Sequence, residues 1–254
     1  MRVDLNADVG ERSAVDAPGE DPALIPHITS ANVACGFHAG DPGVMHATVA
    51  LARKHGVAVG AHPALPDMSG FGRREMPFAP GDVEDIVTYQ IGALAAIAGA
   101  QGVRLQHVKP HGALFNMAAR DQRFADAVAR AAATVDRSLI LFGLSGSELI
   151  AAGARAGLAT AREAFADRAY HGDGTLVPRG APDAVIVEEA RVVQRVVTMV
   201  RERFVVATDG TRVTLDVDTI CLHGDTPGAA DLARAIRVAL AKAGVDVRSV
   251  GRPA

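Results

Sequence analysis

There is no tryptophan in the 254 residues and only two tyrosines, so the core must be packed from Ala, Val, Leu and Ile. The two cysteines, Cys35 and Cys221, are too few to staple a chain of this size, which predicts reduced thiols and a cytoplasmic protein. Long apolar runs are missing too. The longest, residues 91–100, falls short of a membrane span, and Asp4 interrupts any secretory leader at the start, so no membrane is expected as a partner. With a net charge of −3 and no basic stripe, nucleic acid is also not expected. Three motifs are absent: GxxxxGK[ST], which excludes a standard P-loop; HExxH, which removes the helical zinc pair; and the GxSxG nucleophile elbow. Each cysteine has a histidine within three residues, yet small buried thiols are the commoner reading.

Lysine is scarce as well, at 3 residues against 23 arginines. One of the three, Lys109, lies in LQHVKPHGALFN, where His107, Lys109 and His111 alternate and an extended chain turns all three to one face. A lysine kept where arginine is the default suggests a need for a compact, titratable ammonium. The plainer reading is a solvated strand end.

Around this segment runs a repeated pattern of short β-rich run, polar Gly/Pro cluster and amphipathic helical stretch. Strands are predicted at 2–6, 31–35, 57–61, 105–109, 139–143, 159–164 and 218–223. Helices are predicted at 43–55, 80–100, 122–134, 147–156, 183–203 and 228–243. Such alternation points to a parallel β/α barrel, for which residues 1–254 are a normal single-domain length. An open doubly wound sheet is the runner-up. Asp-Gly between β-branched runs predicts a hairpin near 204–215. Residues 165–182, carrying Asp167, Arg168, Tyr170, Asp173 and Arg179, read as a lid or substrate loop.

The polar clusters follow the strands, so in a barrel they share the C-terminal mouth. Asn6, Asp8 and Glu11 end the first strand, where a carboxylate serves as base, metal ligand or orienter of a histidine, or simply caps a turn. Asp41-Pro42 reads as a helix N-cap, whereas His38 just before it has no such structural reason. His62 precedes Pro63 and is biased to extended backbone. Asp8, His38 and His62 offer N and O donors from three strands, a candidate divalent-metal set that sequence alone leaves open. His46 and His55 read as ordinary helix residues. In HGDTPGA, His223 ends the last strand, and the helix start after it suits an anion, although Asp225 would repel one and would instead orient His223 or bind a proton.

The motifs DLNADVGE, NVACGFHAGD, GAHPALPD, HVKPHGALFN, AFADRAY, LVPR and HGDTPGA, in this order along nearly the whole chain, resemble the LamB/YcsF family. The resemblance implies a distorted seven-stranded β/α barrel of the glycoside hydrolase/deacetylase superfamily. It also implies cleavage of 5-oxo-L-proline to L-glutamate, coupled to ATP hydrolysis, in a complex with two further subunits, B and C. ATP is then a co-substrate, with Mg2+ its ordinary companion, and a homo-oligomer is left open. On this reading Asp8, His62, Lys109, His111, His223 and Asp225 are the catalytic candidates. Asn6, His38, Asp41, His107, Gly112 and Arg179 are the substrate-binding ones, with Arg179 set to grip a carboxylate. The rivals are a metal-dependent deacetylase or carbohydrate hydrolase on the same fold, and a non-catalytic binding subunit.

Overall fold

The computed structural model describes residues 1–12, 19–223 and 228–251. In chain order the strands are β1 (Arg2–Val9), β2 (Ser30–Ala34), β3 (Ala58–His62), β4 (His107–Val108), β5 (Ile140–Leu144) and β6 (Ala159–Phe165), then β7 (Phe204–Val206) and β8 (Arg212–Thr214), and finally β9 (Thr219–Leu222) and β10 (Asp246–Val247). β1 to β6 and β9 are parallel, each beside its neighbour, and β9 pairs back onto β1 through Leu5 opposite Ile220. The seven-stranded barrel expected from the sequence is therefore closed. β7 and β8 form the predicted antiparallel hairpin outside it, and β10 extends the base of β1.

The helices are α1 (Asp21–Leu24), α2 (Pro42–Lys54), α3 (Pro80–Gly99), α4 (Gly112–Arg120), α5 (Gln122–Val135), α6 (Glu148–Arg155), α7 (Glu189–Glu202) and α8 (Ala229–Lys242). Their starts follow local chemistry: Asp41 caps α2 by accepting from the Val44 amide at 2.8 Å, and prolines open α2 and α3. Their buried stripes have helical spacing, as with Val192, Val196, Met199 and Val200 on α7. Two elements depart from expectation. α7 begins at Glu189 rather than near 183, because a bridge between Arg168 and Val185 draws the preceding residues into extended pairing. The polar loop after β4 turns at once into α4, whose apolar Ala113, Leu114 and Met117 are buried.

Strands covered on both faces usually read as unbroken apolar runs, and this barrel breaks the rule. The outward residues of β1, Val3, Leu5, Ala7 and Val9, pack under the helices, while the alternate residues Asp4, Asn6 and Asp8 are polar and also buried. Ser30 and Asn32 on β2, His107 on β4, Glu163 on β6 and Thr219 on β9 are fully buried as well. Hydrogen bonding makes such a polar interior stable. Asp4 accepts from Thr29 (2.6 Å), Ser30 (2.7 Å) and Thr219, and the Asn6 amide donates to Glu163 (2.9 Å) and Thr219 (2.7 Å).

Candidate active site

The barrel interior rises in tiers to the mouth. At the floor His107 stacks on Phe142, with centroids 4.3 Å apart, and bonds Asn32 through Nε2 at 2.8 Å. Its ring fits because β3 supplies Gly60, where an added Cβ would stand 2.1 Å from the imidazole. Burial, helped by the charges of Lys109 and His62, lowers its pKa to about 3, so it is neutral at physiological pH. The structure makes His107 a floor residue.

One tier up, Lys109 is 2% exposed and its Nζ is surrounded by Asp8 Oδ1 (2.9 Å), Cys221 Sγ (2.9 Å), Glu163 Oε1 (3.2 Å) and Asn6 Oδ1 (3.3 Å). An ammonium has three protons, so these partners saturate it. Burial alone would lower its pKa, but the surrounding acidic groups outweigh that and hold it well above the usual lysine value. Cys221 goes the other way: burial keeps its thiol protonated despite the ammonium.

The two carboxylates that share this lysine part company. Asp8 is buried, which alone would raise its pKa, yet the charges of His62 and Lys109 pull it well below the usual range and keep it ionised. Glu163, deeper and also penalised by the Asp8 charge, is pushed upward, and its Oε2 has no hydrogen-bond partner among the described residues. The pair is driven apart, with Asp8 pulled toward the ionised form and Glu163 pushed toward the protonated one.

At the mouth three histidines meet. The His62 Nδ1–H donates to the Lys109 carbonyl at 2.7 Å, turning Nε2 toward His111 Nδ1 (3.0 Å) and Asp8 Oδ2 (3.3 Å). His111, the residue before α4, donates from Nε2 to the Phe71 carbonyl at 2.8 Å. His38 lies flat on His111, with centroids 3.9 Å apart, and meets Glu11 Oε1 at 3.1 Å. Gly72 and Gly112 make the room: a Cβ on Gly112 would stand 2.5 Å from the Gly72 carbonyl, and one on Gly72 would be 2.9 Å from both His38 and His111. Burial, with the charge of nearby imidazoles, brings His38 to about 3 and His111 well below the usual imidazole range. Glu11 is set by the turn after β1, where the Gly10 amide donates to Asp21 of α1 at 3.0 Å. Glu11, His38, His62 and His111 each turn one donor atom inward, all within 4.8 Å of one another, and form the single group among the described residues able to hold a metal ion.

Across the mouth His223 Nδ1 meets both oxygens of Asp167 at 2.9 Å, which leaves Nε2 for chemistry. Asp167 is held below its usual pKa: burial opposes ionisation, but His223 and, more weakly, Arg179 outweigh it. The Phe165 ring bridges the halves of the site, stacking on His223 at 5.7 Å and lying 5.3 Å from Lys109 Nζ.

The structure thus gathers Asn6, Asp8, His38, His62, Lys109, His111 and His223, with His107 beneath and Gly112 as a packing hinge. Asp41 is exposed and engaged as a helix cap. Asp225 lies outside the described residues, and the carboxylate seen orienting His223 is Asp167. In the histidine cluster Glu11 and His111 join His38 and His62, while Asp8 is turned to Lys109. The segment predicted as a lid is packed in place: Tyr170 is fully buried, with its hydroxyl accepting from the Phe165 amide at 2.9 Å. Glu163 and Asn32 escaped the sequence reading because they lie inside strands rather than after them. Their signal was alternation: Glu163 is two residues from Phe165, and Asn32 shares the inward register of Asp8.

Known proteins resemble this chain in sequence and in fold. A relative from Tolumonas auensis, named as the A subunit of 5-oxoprolinase, is 52% identical over 249 residues, covering 98% of this chain and 99% of its own. Another of that name, from Methylococcus capsulatus, is 54% identical and covers 98% of this chain and 96% of its own. The crystal structure of a lactam utilization protein from Thermus thermophilus superposes with a TM-score of 0.91 at 48% identity, over 98% of this chain and 99% of that one. The sequence profile of one family spans residues 3–254, and the chain belongs to that family, LamB/YcsF.

Proposed function

We propose that this chain is the ring-opening component of an ATP-dependent 5-oxoprolinase, converting 5-oxo-L-proline to L-glutamate with two partner subunits, B and C. The observation that carries the reading is the ionised Asp8 carboxylate, fixed by Lys109 at the rim of a buried polar barrel, in a chain more than half identical over nearly its full length to relatives of that name.

A lactam is a stable amide. Transfer of the γ-phosphoryl group of ATP to the amide oxygen makes the ring carbon electrophilic, with ADP as the co-product. Asp8 takes a proton from water as its oxygen bonds to that carbon. The C–N bond then breaks, with the nitrogen taking a proton from His223 Nε2, and a γ-carboxyl phosphate is left. A second water releases inorganic phosphate and glutamate. Lys109 acts through Asp8, keeping it ionised and aimed, and places its positive charge beneath the developing oxyanion. Arg179, whose charge is felt by Asp167, is the residue assigned here to the substrate carboxylate. With no P-loop in this chain, the nucleotide is assigned to the partner subunits.

Reconstitution with subunits B and C, omitting each chain in turn and following glutamate release from 5-oxoproline and ATP, tests this. Glutamate should require all three. If the same B and C turn over with the corresponding chain of a relative but not with this one, the assignment fails. Isothermal titration of the isolated chain should show no ATP binding, and binding there would return the nucleotide to this barrel.

A further inference from the structure

We infer that Glu11, His38, His62 and His111 form a binding site for one first-row divalent cation of the zinc class. Two hydrogen bonds lead there. His62 Nδ1 and His111 Nε2 face the carbonyls of Lys109 and Phe71, at 2.7 and 2.8 Å, so each of these nitrogens carries the proton. With both rings neutral, as metal ligands are, the opposite nitrogens, His62 Nε2 and His111 Nδ1, are bare lone pairs, and they face each other at 3.0 Å. Glu11 Oε1, also an acceptor, stands 3.2 Å from His111 Nδ1, 3.1 Å from His38 Nε2 and 3.9 Å from His62 Nε2. Acceptors at these separations repel unless something positive lies among them. A divalent cation satisfies all four at once.

The surroundings have the form of a built site. Metal-bound histidines characteristically donate their second nitrogen to a carbonyl or carboxylate, which fixes the tautomer, and two of the three rings here do so. One of those carbonyls belongs to Phe71, which is held at φ +55, a conformation that costs a non-glycine residue energy. The Phe71 ring also packs edge-on against His38 and His111. His38 Nδ1 is buried without a partner among the described residues, and its Nε2 is turned toward Glu11. Three imidazoles and one carboxylate suit zinc, cobalt or nickel. Calcium and magnesium require more oxygen donors. The site adjoins the acid–base residues: Asp8 keeps Oδ1 on Lys109 while its Oδ2 lies 3.3 Å from His62 Nε2, and His223 stays on Asp167.

The test reads metal without substrate, so it succeeds or fails independently of the lactam reading. The full-length chain is stripped with a chelator, dialysed and reloaded with Zn2+ or Co2+. Elemental analysis should then find close to one ion per chain, bound Co2+ should show ligand-field absorption in the visible, and thermal melting should shift upward. His62→Ala/His111→Ala should lose all three responses while His46→Ala, on the surface of α2, keeps them. Because the double variant removes buried rings, Glu11→Gln serves as the gentler variant: with an unchanged circular dichroism spectrum it should bind Co2+ at least about tenfold more weakly. Wild-type protein that takes up no more metal than the double variant, or Glu11→Gln with unaltered affinity, overturns the inference and leaves a proton as the positive charge in the cluster.

Discussion

Replacing Lys109 by Met removes one charge and little volume, and its cost follows from what the ammonium touches. Asp8 and Glu163 lie 2.9 and 3.2 Å from Nζ, and both are buried. Breaking a buried ion pair from one side costs about 3–5 kcal/mol, a large part of the ~5–15 kcal/mol that holds a folded protein together. The cost depends on pH. In the wild type the depressed Asp8 pKa contributes stability above the unfolded aspartate value of about 3.9, and this is lost as pH falls through the folded value. Without Lys109 the Asp8 pKa climbs and the raised Glu163 pKa climbs further, so relative to the wild type the variant loses stability as pH rises. The wild-type minus variant gap should therefore be widest near pH ~8 and shrink toward pH ~5, by about 1.4 kcal/mol for each unit by which the freed pKa exceeds the assay pH. Urea unfolding followed by far-ultraviolet circular dichroism at both pH values measures it. Lys109→Arg separates charge from packing, since it keeps the cation but overfills the space at a cost of about 1–3 kcal/mol, with a gap that changes little with pH. A Lys109→Met gap that is flat across this range, or below about 1 kcal/mol, would refute the coupling argued here.

Gly60→Ala should lower stability by at least about 1–3 kcal/mol in thermal or urea unfolding, because its Cβ meets the His107 ring against Phe142, and His107→Ala should recover part of the loss. Asp167→Asn should lower turnover in the reconstituted complex by roughly a hundredfold or more and move the pH–rate profile, while leaving assembly with the partner subunits unchanged; an unmoved profile would remove the His223 pair from catalysis. Both thiols should resist alkylation in the native protein and react in guanidinium, since burial pushes Cys35 up to about 12 and Cys221 well above its ordinary value. Rapid native labelling would contradict this burial.

The barrel was legible because its strands and helices alternate at short range, and the Asp41 cap and Pro80 in the first turn of α3 mark helix starts that backbone chemistry favours. The rim was legible for the same reason: polar clusters after parallel strands converge wherever the sheet closes. The tiers below it were harder to see. Asp4, Asn6 and Asp8 alternate with apolar residues in RVDLNADV, a pattern that ordinarily marks a strand with one wet face, and only closure of the ring reveals that this face is inside. Partnerships across large sequence separations were out of reach. Nothing local links His223 to Asp167, 56 positions earlier, or Asn6 to Glu163, 157 positions later. Lys109 shows both sides, since its scarcity marked it and its four partners explain it.

The polar lining of the barrel also constrains how the ring can close. Apolar linings are forgiving: a strand that slides two residues along its neighbour exchanges one aliphatic side chain for another and keeps most of its burial. Here the first and last strands join residues more than two hundred positions apart, with Asp4 opposite Thr219 and Asn6 opposite Cys221. Slid by two, β9 would place a thiol where Asp4 needs a hydroxyl and carry Thr219 away from the Asn6 amide. Every inner acceptor is thus a tooth in a lock that turns at a single register, and the residues that prepare the chemistry also proofread the assembly of the ring.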